Sequence, residues 1–462
     1  MTDLGAQAVV GRGTRASVVG LCLVAATALI NPYLVRNLGG TSVLVGSFAE
    51  PGIGNPEFVP MVVGAGLGIL VSLLVLRLAP AAGWIALLVV GTAFALLAEL
   101  SFVDTFERDM STTEFIGSAA AALVTFGLLG AGGWLLHAAG VGAAAPVIAT
   151  PFVAPLLAFA LVAVMIGNRG SLQPTGVTLG VVGLVAAAAL VALVPVVRRA
   201  AADPPAWRVS VVGAFAALLV LAPRLLALSG AIDPYDTAST RALSQGLAGV
   251  LIFFAALGLT AALGIRPLVA ALGIALVTYG ATVAVNLLST NLPVPVAGPA
   301  SLRSIADVVA CLLGVGLGAA AAHARWLPWC AGAACAVTAV VTTAMTVLAD
   351  PQPTLVPEAL RFVLLVLVVF ALVTAVAGAA GAIGAGALVP VVLGLCAGAM
   401  LTGMEGANAV VLNRTAVATL GVQTWFILLG VVAGCVLLVG GALILVLHRF
   451  NGRVASGVEH QQ

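Results

Sequence analysis

From Phe58 to Leu100 the chain reads FVPMVVGAGLGILVSLLVLRLAPAAGWIALLVVGTAFALLAEL. Two charges, Arg77 and Glu99, interrupt these 43 residues, and they sit near the ends of two apolar runs, 58–79 and 82–100. A helix needs about 20 apolar residues to cross the hydrocarbon core of a bilayer, and it pairs its backbone polar groups within itself. The stretch therefore predicts two spanning helices joined by the tight turn Arg77-Leu-Ala-Pro80, with Trp84 just beyond.

Working outward, runs of the same kind fall at 17–36, 115–138, 143–167, 176–197, 208–228, 243–265, 267–287, 304–324, 327–348, 358–382, 386–404 and 423–448. The reading is an all-α polytopic membrane protein with about fourteen transmembrane helices. Composition agrees with it. Hydrophobic residues make up 62% and charged residues 7%, with a mean hydropathy of +1.23, against about 25% charged in a soluble domain. A water-soluble globule is excluded. The net charge is +2, too small a field to hold nucleic acid. All 18 basic residues are arginines, which removes any chemistry that needs a lysine. The six cysteines lie inside apolar runs and read as small buried hydrophobes, and none of the four histidines stands at a metal-ligand spacing. No metal, no cofactor and no enzymatic chemistry are expected.

Sorting charges into alternate loops sets the orientation. With the N-terminus inside, Arg12, Arg15, Arg77, Arg198, Arg199, Arg208, Arg266, Arg325, Arg449 and Arg453 face the cytoplasm against only Asp3, Asp203 and Glu459. The other eight arginines and thirteen acids fall outside. Both termini are expected in the cytoplasm. The expected location is the cell (plasma) membrane of a bacterium. The longest loops, at 37–57, 101–114, 229–242, 288–303 and 405–422, are all outer and too short for a soluble catalytic domain. Glu50 with Glu57, or Asp104 with Asp109, resemble the acidic pairs of membrane glycosyltransferases, but read more simply as solvated loop charges.

Charges at membrane depth are costly, so they usually face a bundle interior or a wet cavity. Those in this chain, Arg36, Glu99, Arg224, Asp307, Glu358, Arg361 and Glu405, all stand near the outer ends of their spans. Arginines there can snorkel to the interface. The short side chain of Asp307 cannot reach far, which makes it the first candidate for proton coupling or for binding a cationic group. Arg361 or Arg224 is its candidate counter-ion. The inner halves carry small residues instead, as in Gly314-Val-Gly316-Leu-Gly318 and Gly378-Ala-Ala-Gly381-Ala-Ile-Gly384. Such spacings let helices pack closely or slide.

Two turns share a pattern: Arg77-Leu-Ala-Pro80 with Trp84, and Arg325-Trp-Leu-Pro328-Trp329. Matching loop lengths around them suggest a duplication in which spans one to six correspond to spans nine to fourteen. Span five carries Ala145-Pro146-Val-Ile-Ala-Thr-Pro151-Phe-Val-Ala-Pro155, and span one ends in Asn31-Pro32-Tyr-Leu-Val-Arg36-Asn-Leu-Gly-Gly40. On this layout and these stretches the chain resembles the major facilitator superfamily, specifically its fourteen-span drug:proton antiporter branch. The resemblance implies two six-helix bundles plus two extra helices. The divisions are a cytoplasmic tail at 1–16, an N-terminal bundle at 17–200, two inserted helices at 201–266, a C-terminal bundle at 267–448 and a second cytoplasmic tail at 449–462. Departures stand beside it. The first span lacks the family's acid, and its Gly-rich turn motif is reduced to Arg77.

The resemblance implies alternating-access transport, with Arg77, Pro80, Arg325, Pro328, Pro151 and Pro155 as hinge candidates. Asp307, Arg361, Arg224, Glu405, Glu99, Arg36 and Asn31 are the candidates for substrate or proton coupling. The sparse mid-depth polar and aromatic residues favour export of a hydrophobic small molecule or lipid-like substrate, with membrane lipids as surroundings and protons as the candidate coupling ion. Two alternatives stand beside this reading. One is a membrane assembly or scaffold protein with a transporter-like fold. The other is a flippase of lipid-linked precursors, which would want several cations at mid-depth.

Overall fold

The computed structural model describes residues 59–78, 80–104, 207–222, 238–290, 300–322, 327–348, 358–383 and 422–459, with shorter pieces between 112 and 127, at 225 and between 388 and 398. The expected spans at 17–36, 143–167 and 176–197 lie outside the described residues. Among the described residues the regular structure is helical, without strands. The helices are α1 (Val59–Leu78), α2 (Pro80–Asp104), α3 (Trp207–Leu218), α4 (Ala238–Ala261), α5 (Ile265–Thr290), α6 (Ala300–Ala322), α7 (Leu327–Leu348), α8 (Glu358–Ile383) and α9 (Val422–Glu459). Each falls on an expected span. By length and composition, Ile265–Val285, Ala359–Ala379 and Ile427–Leu447 are each long and apolar enough to cross a bilayer.

The helix ends follow local chemistry. Pro80 opens α2, where its missing N–H costs nothing and its fixed φ suits a first helical residue. After α3 the chain tightens into a 3₁₀ turn at Leu219–Leu221, where the sequence predicts one continuous span over 208–228. Pro223, just beyond in the sequence, has no N–H to offer. The Ala222 N–H bonds the Leu219 carbonyl instead. A turn through Ala262 and Leu263 to Gly264 joins α4 to α5. Gly264 has φ +126°, a conformation closed to a residue with a Cβ. Space is not the constraint, since a Cβ there would find its nearest neighbour, Pro267 Cδ, at 3.9 Å. Gly264→Ala is thus expected to cost about 1–2 kcal/mol of backbone strain, read as a lower unfolding midpoint of the purified protein. The last helix outruns its expected span of 423–448. No proline interrupts 422–459, and the helix runs on to Glu459.

Packing is that of a bilayer protein. Large apolar side chains stand on the outside, among them Leu67, Leu74, Leu251, Phe254 and Val340, while alanine, valine and leucine dominate the interior. In water such a surface would aggregate; in lipid it is the solvated one. Four buried hydroxyls are absorbed by their own helices: Ser72, Thr260, Thr278 and Thr338 each donate to the carbonyl four residues earlier at 2.6–2.7 Å. The larger described group packs α9 against α5 and α7, and α8 against α5, α6 and α7. In the smaller, α1 lies against α2 and α3.

The closest approaches use glycine. On α1, a Cβ at Gly64 would collide with the Phe115 carbonyl, and one at Gly68 would lie 2.8 Å from Ala122 Cβ. On α6, a Cβ at Gly314 would lie 2.7 Å from Val369 Cβ, and one at Gly318 2.6 Å from Val373 Cγ1, both on α8. Gly91 of α2 meets Leu123 and Val124 in the same way. The helical residues at 115–127 therefore receive both α1 and α2, as α8 receives both α6 and α7.

Candidate functional site

Asp307 stands two turns into α6 and Arg361 in the first turn of α8. Arg361 Nη2 donates to Asp307 Oδ2 at 2.5 Å, with the two side chains 21% and 16% exposed. Their helices cannot drift apart, because the same faces continue into the Gly314 and Gly318 contacts with Val366, Val369 and Val373. Ala310 and Cys311 lie buried between the ion pair and these contacts. A charge-assisted bond of this kind lets each residue offset the other's desolvation. Chemically the pair has two ways to open. A proton on Asp307 removes its charge, and an anionic group on Arg361 replaces it.

A second polar cluster joins α1 to α3. Arg77 Nη1 donates to Ser210 Oγ at 2.9 Å, and the guanidinium lies over the Trp207 ring, 4.5 Å from its centroid. Next to Trp207, Arg208 donates to the Ala262 carbonyl at the end of α4. A cation there satisfies a carbonyl left open by the helix terminus and complements the terminal dipole. These contacts place the end of α1, the start of α3 and the α4–α5 turn on one membrane face.

Of the residues singled out from sequence, the structure brings together Asp307 with Arg361, and Arg77 with α3. Glu99, Pro80 and Pro328 lie on α2, α2 and α7, with their side chains outside the description. Asn31, Arg36, Pro151, Pro155, Arg224, Arg325 and Glu405 lie outside the described residues. Sequence reading missed Trp207 and Ser210 as partners of Arg77. Their one signal is an aromatic next to an arginine at the start of a span. It also missed Gly64-Ala-Gly66-Leu-Gly68, which matches Gly314-Val-Gly316-Leu-Gly318 in spelling and in role. Among the described residues no cluster of histidine, cysteine or acid has the makings of a metal site.

Apart from these clusters, an apolar groove of about 330 Å³ runs between α1, α2 and the residues at 115–123. Leu67, Val71, Val90, Phe94, Phe115 and Leu123 are among its walls, and no polar residue lines it. The first four of these are exposed, so the groove opens on the outer surface.

An all-helical polytopic membrane protein with an ion pair between two of its helices is the class that fold and site define. The sequence matches no family model and no curated protein. Its fold matches solved structures over nearly its whole length. The Escherichia coli fucose:proton symporter FucP shares 12% identity, with 96% of this chain and 98% of that one covered and a TM-score of 0.50. The human organic anion transporter MFSD10 (TETRAN) shares 14%, with 94% and 98% covered and a TM-score of 0.50. A second FucP structure, described as a major facilitator superfamily transporter in the outward conformation, shares 13%, covers 95% and 98%, and has a TM-score of 0.44. The chain thus has a fold similar to that of major facilitator transporters, and at these identities the likeness concerns fold alone.

Proposed function

We propose that the chain is a secondary transporter of the major facilitator type that exports a hydrophobic small molecule or lipid-like substrate, with the Asp307–Arg361 pair as its coupling site. The observation that carries the proposal is the ion pair itself, held at membrane depth in a chain whose spans are otherwise nearly free of charge. A neutral bilayer segment retains such a pair at a cost, and a proton that opens it changes the charge of the site by one unit. Rocking of two bundles is supported by the repeated packing. Gly64 and Gly68 on the residues at 115–122 reproduce Gly314 and Gly318 on α8, and the Arg-x-x-Pro turns follow nine and seven residues later. The bundle boundaries at 17–200 and 267–448, the fourteen-span layout with two inserted helices, the bacterial plasma membrane and the cytoplasmic termini complete the proposal. A lipophilic cargo is supported by the wholly apolar groove and the sparse polar residues at mid-depth.

The fold neighbours carry, by their names, a sugar with a proton and organic anions. Neither names the cargo here. The test compares accumulation of a panel of lipophilic compounds by cells with and without the protein, then with Asp307→Asn. The substitution keeps the side chain's shape and removes its titration. Export is expected to fall at least tenfold and to lose its pH dependence while membrane insertion stays normal. Unchanged, pH-dependent export by Asp307→Asn would refute the coupling role, and leave the pair as a static tie between α6 and α8.

A further inference from the structure

Glycines frame the apolar groove between α1, α2 and the residues at 115–123. At one end the missing Cβ of Gly64 makes room for the Phe115 carbonyl, and at the other that of Gly83 makes room for the Val75 carbonyl. Between them Gly68 meets Ala119 and Ala122, and Gly91 meets Leu123 and Val124, so both helices rest on a common floor. Small residues bring backbones together only where they occur. Above the floor α1 and α2 stand apart, with Val71, Val90 and Phe94 exposed along the rims. The groove extends from Leu67 to Val75 on α1 and from Ala86 to Phe94 on α2, which is about 12 Å at 1.5 Å of rise per residue. Spread over that length, a volume of about 330 Å³ makes a slot about 27 Å² in section, or about 5 Å across. A helix about 10 Å in diameter cannot enter it, and water finds no partner there, since no polar residue lines it. A single unbranched hydrocarbon chain, whose carbons keep their neighbours about 4 Å away, fits the section. The length is close to one leaflet, half of a hydrocarbon core about 30 Å thick. Val75 lies three residues before the end of α1 and Ala86 six after the start of α2, so the slot belongs to the leaflet on the side of the Arg77–Pro80 turn.

We infer that this slot binds one unbranched acyl chain of a phospholipid from that leaflet, and that the chain completes the packing of α1 beside α2. The inference needs only the groove and the bilayer, whatever the cargo. Moving a chain from lipid into the slot gains nothing hydrophobic. What holds it is dispersion contact on three sides, in a space otherwise left empty. The repeated packing points the same way. Gly64 and Gly68 meet Phe115 and Ala122 as Gly314 and Gly318 meet Val366 and Val373, and in that register Ala119 corresponds to Phe370. Phe370 is packed against the protein's own core. One seam therefore supplies a phenyl group where the other presents only a methyl and leaves the slot.

The test uses the full-length protein extracted from nanodiscs of dimyristoyl phosphatidylcholine, with the phospholipids retained per chain counted by native mass spectrometry. The parent should keep a phospholipid whose occupancy falls about tenfold in Ala119→Phe, as overpacking of the slot implies. Val90→Phe adds bulk from the exposed rim and should act in the same way, which keeps the test decisive should Ala119→Phe fail to fold. Leu312→Phe, on the exposed face of α6, should retain the lipid. In diphytanoyl phosphatidylcholine, whose methyl branches exceed the width of the slot, the parent should retain no more than the filled variants. Exchanging phosphatidylcholine for phosphatidylglycerol with the same chains should change nothing, because no polar residue lines the slot. A folded Ala119→Phe or Val90→Phe protein that retains as many lipids as the parent overturns the inference. Equal retention of the branched lipid, or retention that follows the headgroup, does so as well. Should Val90→Phe change the oligomeric state and not the lipid count, a second copy of the chain covers the groove and the inference falls.

Discussion

Arg361→Ala is expected to lower the stability of the folded protein by about 2–3 kcal/mol, somewhat under the range for breaking a fully buried ion pair, because both side chains keep some exposure. The loss comes from Asp307, left charged at membrane depth with its Arg361 contact gone. Replacing both partners by neutral isosteres should then cost less than removing one. In a double-mutant cycle of Asp307→Asn and Arg361→Gln, the double variant should recover about 1–2 kcal/mol of the summed single losses. Unfolding in mixed micelles reads each value. Strictly additive costs would mean that the 2.5 Å contact contributes nothing to stability, and that the α6–α8 seam is held by its glycines alone.

A larger effect is expected at those glycines. Gly314→Val would place a Cβ 2.7 Å from Val369 Cβ and 2.8 Å from the Val366 carbonyl oxygen, before its γ-methyls are counted. A backbone carbonyl in mid-helix cannot turn aside, so α6 and α8 must separate. Overpacking of a tight interface costs about 1–3 kcal/mol, and valine should reach the top of that range or prevent folding. Asp307 lies two turns from Gly314 on the same face, so the separation should also pull its carboxylate from Arg361. Gly316, two residues away on α6, has no heavy atom within 4 Å of its Cβ position. Gly316→Ala should therefore be neutral or slightly stabilising, since alanine is the better helix former. Comparing the unfolding midpoints of the two variants with that of the parent separates a packing requirement from a general preference for glycine in this segment. Equal effects at both positions would contradict the geometry of the seam.

The helices themselves were legible from one property, the lack of charge over about 20 residues, because a segment in lipid must satisfy its backbone internally. That is why α1, α2 and α5 to α8 fall on the expected runs, and why the Pro80 turn was visible without a structure. Helix ends are set by local devices as well as by apolar length. Leu219–Leu221 tighten into a 3₁₀ turn, the turn at Gly264 separates α4 from α5, and α9 runs past its bilayer-length apolar stretch, Ile427–Leu447, to Glu459.

The site divides along the same line. The sequence by itself set the position of Asp307 and Arg361 along their spans, since 1.5 Å of rise per residue places both near span ends, and it offered Arg361 as one of two counter-ions. Only the tertiary structure decided that Arg361 lies against Asp307, that Gly314 and not Gly316 faces α8, and that Arg77 reaches Trp207 and Ser210 of α3. The physical reason is that these helices are apolar all round. An amphipathic helix announces its buried face by periodicity. In a bilayer both faces are hydrophobic, and the choice between them passes to small-residue contacts and single polar bonds that no local pattern reveals.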